Sequence, residues 1–284
     1  MSRAPARAIR PVGQPVQRWV VLVCVAALPC AAALAADCQP PVLGALAGVE
    51  RSHWQERDAQ GASLLHERGT LRLVGLEAGS HCSGVDWSAR WTLARGERDY
   101  DGRTTAQAPF QTVTRIEAQH LAAQAWAPIH PAWALGAQLG YRHIDRDIAG
   151  RGNVLGYPER FGYWQAALGA RYRAALGEQL RLTAAAWLGG GPRGRVQLDL
   201  PRADPVTLRL GSSRLLAMAL VLDGGATAEH RGWAWQAGLS YRHEQHQAGP
   251  AQTLVRDGTP VGSASQPRIV QRHLGATLHA TYRF

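Results

Sequence analysis

Residues 274–284, LGATLHATYRF, carry the pattern that decides the fold. Apolar side chains occupy every second position, and the positions between them are small or polar. Because a strand turns alternate side chains to opposite faces, the segment is amphipathic as a β-strand and incoherent as a helix. One face holds Leu274, Ala276, Leu278, Ala280, Tyr282 and Phe284, and the other holds Gly275, Thr277, His279, Thr281 and Arg283.

The same alternation recurs along the chain. It is clearest at residues 85–93, 133–141, 164–172 and 233–241. Weaker copies bring the count to ten strands and occupy about 44–57, 63–77, 110–127, 179–198 and 206–222. Short connections alternate with longer ones, and an even number of antiparallel strands closes without an unpaired edge. We therefore predict an all-β fold, an antiparallel transmembrane β-barrel of about ten strands.

Aromatic residues near the strand ends favour a membrane barrel over a soluble β-sandwich. A sandwich also has alternating strands, but it has no use for tryptophan on the apolar face at both strand ends. A membrane barrel places aromatic girdles there. One predicted girdle contains Trp126, Trp133, Tyr172, Trp233, Trp235 and Tyr282, and the other contains Trp91, Tyr141, Trp164 and Tyr241.

The N-terminal segment has the features of a secretory signal peptide. Four arginines precede an uncharged stretch at 19–36, and no acidic residue occurs before Asp37. The sequence Ala33-Leu34-Ala35 has the small-x-small pattern of a cleavage site, with the next register as an alternative. We predict a signal at 1–36 and the barrel at 37–284, exported through the periplasm. Lipidation of Cys38 is a weaker alternative, since Asp37 stands where a small residue is expected.

Two of the four cysteines, Cys24 and Cys30, lie within the predicted signal. The mature chain keeps Cys38 and Cys82, and an oxidising compartment favours one disulfide between them. Unpaired thiols remain an alternative. Two sulfurs without a nearby histidine pattern make an incomplete metal-ligand set, so no metal and no cofactor is predicted.

The formal net charge is +10, and every basic residue is arginine. Nucleotide-composition bias is the simplest cause of this usage. Guanidinium groups also suit the phosphates of lipopolysaccharide, so outer-membrane lipids and lipopolysaccharide are predicted partners. An exported protein has no reason to bind nucleic acid.

The segment 274–284 resembles the C-terminal signature of Gram-negative outer-membrane proteins, which ends in an aromatic residue. In that family the barrel-assembly machinery recognises this signature. The resemblance therefore implies an assembly signal at Tyr282 and Phe284, the assembly machinery as a partner, and a location in the outer membrane.

A barrel of ten strands is similar in architecture to the omptin outer-membrane proteases. Omptins carry an Asp pair in the second outer loop and an Asp-His pair in the fourth. Asp99 and Asp101 have a spacing similar to the first pair, whereas the fourth loop at 188–206 offers Asp199 and Asp204 without histidine. The strand phase also turns Asp99 and Asp101 outward, so the likeness is limited to architecture.

His243 and His246 are the other weak catalytic candidates. Lipid A deacylases with a barrel fold hold a His, a Ser and an acidic residue on lipid-facing strands, but no Ser follows either histidine at two residues. A hydrated strand leading into the last loop explains both histidines more simply.

The predicted inward residues indicate a packed polar interior. A barrel of about ten strands is largely filled by its own side chains, so this interior favours plugging over conduction. The predicted inward charges are Arg90, Arg142, Arg171, Arg173, Arg242 and Arg283, balanced partly by Asp86 and Glu117.

These patterns predict a monomeric surface protein without catalytic activity. Its outer loops would contact lipopolysaccharide, extracellular matrix or another envelope protein. Two alternatives remain open: an omptin-like protease or lipid-modifying hydrolase, and a narrow channel or secretion accessory.

Overall fold

The computed structural model describes residues 38–104, 108–201, 203–225 and 232–284. The predicted signal at 1–36 lies outside these residues. The strands of the described residues are β1 (Val42–Arg57), β2 (Ser63–Cys82), β3 (Val85–Arg103), β4 (Pro109–His130), β5 (Trp133–Ile148), β6 (Tyr157–Ala175), β7 (Leu180–Gly191), β8 (Arg195–Leu198), β9 (Val206–Arg209), β10 (Ser213–Gly225), β11 (Gly232–His246), β12 (Gln252–Arg256), β13 (Thr259–Ala264) and β14 (Arg268–Arg283).

Ten long strands form a closed antiparallel ring, which confirms the predicted fold class. The order around the ring is β1, β2, β3, β4, β5, β6, β7, β10, β11 and β14, and β14 pairs again with β1. Short turns such as 83–84 and 131–132 connect the strands at one end, called the turn end below. Longer connections lie at the opposite end, the loop end. Among the described residues, no helix is long and apolar enough to cross a membrane.

Two predicted strands are interrupted near the loop end. The predicted strand at 179–198 divides into β7 and β8, because Pro192 lacks the N–H that a continuous ladder needs. The predicted strand at 206–222 divides into β9 and β10. β8 pairs with β6 beyond the end of β7, and β9 pairs with β8. The β8–β9 hairpin therefore extends the barrel wall.

A second hairpin, β12–β13, lies in the last loop and pairs only with itself. Its two-residue turn, Asp257-Gly258, has positive φ at both positions, 48° and 80°. Such a turn matches the twist of the flanking strands. A backbone hydrogen bond of 2.8 Å from Asp204 N to Val255 O links this hairpin to the β8–β9 loop.

The outward face of the ring carries a continuous apolar belt. Alternate residues of each strand are exposed although they are large and hydrophobic, which in a soluble protein would be unfavourable. Members of this belt include Leu43, Val49, Val74, Leu76, Leu135, Leu139, Leu168, Leu188, Leu220, Leu239, Leu274 and Leu278.

Aromatic pairs flank the belt on the outward face. At the turn end, the ring centroids of Trp133 and Tyr172 lie 4.9 Å apart, and Trp233 contacts Tyr282 at 5.3 Å. At the other edge, Tyr141 and Trp164 lie 5.1 Å apart. These pairs form the two girdles that the sequence predicts.

Two sequence-based placements are wrong. Trp126 is buried inside the barrel against Trp187, with ring centroids 4.2 Å apart, and does not belong to a girdle. It lies one position out of phase with its outward neighbours Ala125 and Ala127. Glu117 faces outward, where its carboxylate pairs with exposed Arg95 at 2.8 Å. Both errors follow from one shift of phase, because placing the even-numbered residues of β4 outward exchanges the two faces of the strand.

A disulfide joins Cys38 to Cys82, as the sequence predicts. The adjacent backbone is held as well, because Gln39 N donates to His81 O at 2.8 Å and Ser80 Oγ donates to Gln39 O at 2.9 Å. The next two residues, Ser83 and Gly84, have positive φ and form the tight turn into β3. A cross-link that closes about 45 residues contributes ~3 to 4 kcal/mol in a chain-entropy account.

Candidate functional site in the barrel interior

The interior of the loop end is filled by a hydrophobic core. Large side chains from the strand extensions pack together above the outward aromatic row of Tyr141 and Trp164. Val196, Leu198 and Leu208 enter this core from the β8–β9 hairpin. Other members are Leu71, Ile144, Phe161, Leu210 and Ile269, each nearly inaccessible to solvent. The core closes the lumen toward the loops.

A buried ion-pair cluster lies within this core. The Arg146 guanidinium contacts the carboxylates of Glu67 at 2.7 Å, Glu56 at 3.2 Å and Glu159. Arg98 contacts Glu67 at 3.4 Å from the other side. The ring of Trp54 lies 4.3 Å from the Arg146 guanidinium carbon. Charged groups removed from water need such partners, and here each has at least one.

The cluster is charged unevenly, because three carboxylates share the two guanidinium groups. Burial raises the pKa of Glu159 to about 7, and the positive charge of Arg146 opposes that rise. The neighbouring Glu56 and Glu67 add to it. Glu159 lies beyond the outward girdle residue Trp164 on β6, at a level where the outer face is polar. Raised carboxyl pKa values occur in catalytic acids, but Glu159 is buried within the core.

A second buried network surrounds Glu244. Its carboxylate contacts Arg242 at 3.1 Å, Arg142 at 3.6 Å and His246 at 2.5 Å. The His246 ring also packs edge-on against Tyr163, with centroids 4.6 Å apart. His246 is therefore an interior hydrogen-bond partner of Glu244 that solvent does not reach.

A third group, Ser52, His273 and Glu50, has the composition of a hydrolase triad but not its geometry. Ser52 Oγ lies 3.1 Å from His273 Nδ1, and Glu50 Oε1 lies 2.7 Å from the same nitrogen. A triad places the nucleophile and the acid on different ring nitrogens. Arg98 also donates to Ser52 Oγ at 2.8 Å, and Ser52 has no exposed surface. These residues form a structural network.

The predicted catalytic candidates are not brought together. Asp99 is exposed on the outer face of β3, and Asp101 lies beside His66 at 3.6 Å. His243 also faces outward, while His246 points inward. The register places His243 and Asp99 in one row, four strand spacings apart, or about 19 Å along the ring. Among the described residues, no group of three His, Cys, Asp or Glu side chains is placed to hold a metal ion.

No protein-family model and no curated protein sequence matches this chain significantly. The structure is similar to the outer-membrane protease OmpT from Escherichia coli, with a TM-score of 0.53 over 88% of this chain and 97% of OmpT. Sequence identity in that comparison is 12%. The chain has the fold of an outer-membrane β-barrel. At this identity the likeness extends to the fold and not to the protease activity.

Two further outer-membrane barrels show weaker similarity. The translocator domain of the autotransporter NalP from Neisseria meningitidis has a TM-score of 0.44 and 10% identity, over 95% of this barrel and 97% of NalP. Neisserial surface protein A has a TM-score of 0.35 and 10% identity, over 87% of this barrel and 99% of its own chain. Similarity at these levels carries no argument about function.

Replacing Arg146 by methionine should destabilise the barrel strongly. The variant leaves Glu56, Glu67 and Glu159 buried without their shared cation, an effect of about 3 to 5 kcal/mol. Arg115→Met is the control, since Arg115 pairs with Glu97 at 3.4 Å on the surface and contributes at most about 1 kcal/mol. Urea-induced unfolding in lipid vesicles, followed by tryptophan fluorescence, measures both. Equal losses in the two variants would show that the cluster does not hold the loop end together.

Proposed function

We propose that this chain is a closed outer-membrane surface protein without catalytic activity, which binds other envelope or extracellular components through its loop end. The observation that carries the proposal is the filled interior of the loop end, where the Trp54, Arg98 and Arg146 cluster is sealed within the hydrophobic core. A lumen closed by packed side chains offers neither a pore nor a cleft. At the loop end, the barrel wall and the loops remain as the surfaces available for binding.

The proposed orientation places the turn end in the periplasm and the loop end outside the cell. It follows the usual asymmetry of such barrels, in which the periplasmic connections are short. The β8–β9 and β12–β13 hairpins, which a backbone hydrogen bond joins, then form the main outer surface. Insertion by the barrel-assembly machinery, through the signal at Tyr282 and Phe284, is part of the same proposal.

Lipopolysaccharide is the partner that the barrel wall suits best. Directly beyond the apolar belt, the outward faces of β14, β1 and β2 carry a group of exposed arginines that we call the arginine patch: Arg51, Arg68, Arg72 and Arg272. Arg272, His53 and Arg68 occupy one row across the three strands. Guanidinium groups at this height match the phosphates at the base of the outer leaflet.

The absence of a pore is tested by conductance. The refolded barrel, inserted in planar bilayers, should give no stable conductance steps, with a general porin as positive control. The reason is that packed apolar and ion-paired side chains occupy the loop-end lumen. Reproducible open steps in the wild type would overturn the proposal of a closed barrel.

Proteolysis is tested with Asp99→Asn/Asp101→Asn. Because both carboxylates lie on the outer face, and Asp99 is about 19 Å along the ring from His243, we expect no peptide hydrolysis above buffer by either wild type or variant. A set of fluorogenic peptides with added lipopolysaccharide provides the assay. Cleavage by the wild type that the variant loses would establish a protease and contradict the proposal.

Lipopolysaccharide binding is tested with the triple variant Arg51→Gln/Arg68→Gln/Arg272→Gln. It should weaken binding about tenfold or more, since charge-assisted bonds to phosphate are lost. Arg103→Gln/Arg193→Gln/Arg195→Gln removes the same charge from exposed positions outside the arginine patch. Titration of purified lipopolysaccharide into detergent-solubilised protein compares the two. Equal affinities would remove the patch from the proposal.

A further inference from the structure

The turn end of the barrel has a feature that plays no part in the function proposed for the loop end. A cavity of about 330 Å³ lies at this mouth and is lined by residues of seven strands, β1, β2, β3, β4, β6, β7 and β14. Among the described residues, its charged lining consists of four arginines, two carboxylates and one histidine. We refer to it as the arginine vestibule; its arginines are Arg171, Arg173, Arg181 and Arg283.

Positive charge is in excess in this vestibule. Glu77 is already held by Arg90, whose guanidinium lies 2.6 Å from it. Asp86 contacts Arg171 at 2.5 Å, Arg173 at 3.0 Å and His81 at 2.7 Å. Asp223 lies opposite Arg181 on the neighbouring strand, so Arg171, Arg173 and Arg181 share two carboxylates. A concave surface with walls of low dielectric constant focuses such charge and attracts anions.

The vestibule is also built rigidly. The Arg171 residue is 9% exposed, and its guanidinium carbon lies 4.7 Å from the ring centre of Trp126, which packs on Trp187. Glycine at 136 makes room for this stack, because a Cβ there would lie 2.5 Å from the Trp126 ring. The Nε of Arg171 is buried without a hydrogen-bond partner among the described residues. Packing thus fixes one guanidinium before any ligand arrives.

Size and chemistry select the class of ligand. A cavity of about 330 Å³ that opens to solvent has room for a phosphate group. Guanidinium forks match the paired oxygens of a phosphate and bind it with two parallel hydrogen bonds. Acyl chains are excluded by the charged lining.

We propose that the arginine vestibule is a phosphate-binding site, open at the turn end and independent of whatever the loop end binds. Arg171 provides the fixed cation at its base, and the more exposed Arg173 and Arg181 complete the site at its rim. With the turn end in the periplasm, two sources supply this chemistry: a phospholipid headgroup of the inner leaflet, and a soluble phosphate.

The test uses the full mature barrel in a maltoside detergent, which carries no phosphate. Inorganic phosphate is titrated against an equal ionic strength of chloride, and binding is followed by isothermal calorimetry and by the fluorescence of tryptophan. A saturable response to inorganic phosphate supports the site with a soluble source. A response that needs short-chain phosphatidylglycerol supports the site with a lipid source. No saturable response to either compound overturns the proposal.

The double variant Arg173→Gln/Arg181→Gln tests whether the binding response comes from the vestibule. It removes the two rim cations and leaves Arg171, Asp86 and Trp126 in place, and binding should weaken at least tenfold. Arg193→Gln/Arg195→Gln, which removes equal charge at the loop end, should bind as the wild type does. Folding of each variant is checked by the heat-dependent shift in gel mobility, and Arg181→Gln alone replaces the double variant if that one does not fold. Unchanged affinity in the folded rim variant would overturn the assignment.

Because the assay requires neither a closed lumen nor an orientation, its failure is distinct from failure of the proposed function.

Discussion

Inside a membrane no water is available for backbone N–H and C=O groups, and the rest of this structure depends on that constraint. Ten strands meet it by pairing in a ring, so that neither edge is left open. Strand pairing in turn fixes a period of two, with lipid on one side of the wall and the lumen on the other. The apolar belt, the two girdles and the inward charges all follow from this division.

The period of two also determines how much of the structure can be predicted from the sequence alone. It predicts the fold class and ten strands, because residues 274–284 and their copies alternate over many positions. It fails where a strand is interrupted, as at Pro192, and where the phase of a strand is one position out, as in β4, so that Trp126 and Glu117 exchange faces. A shift of one position turns every side chain of a strand to the opposite face.

Most contacts of the interior ion-pair clusters could not be predicted from the sequence, for a different reason. Continuing the alternation from Tyr141 turns Arg146 inward, so its face was within reach of prediction. Its partners were not, since Glu56 and Glu67 are 90 and 79 residues away along the chain and meet it only across the closed ring. Contacts between strands that are not neighbours depend on the diameter and stagger of the barrel. The same holds for the arginine vestibule, which draws its residues from seven strands.

The pairing of β1 with β14 has a consequence for how the barrel is made. These two strands pair along their whole length, from Val42 with Arg283 to Arg57 with Arg268. β1 therefore lacks one of its two neighbours until β14 has been synthesised. Until then the growing sheet has two open edges, with which other chains can pair. Closure of the barrel therefore follows the synthesis of β14.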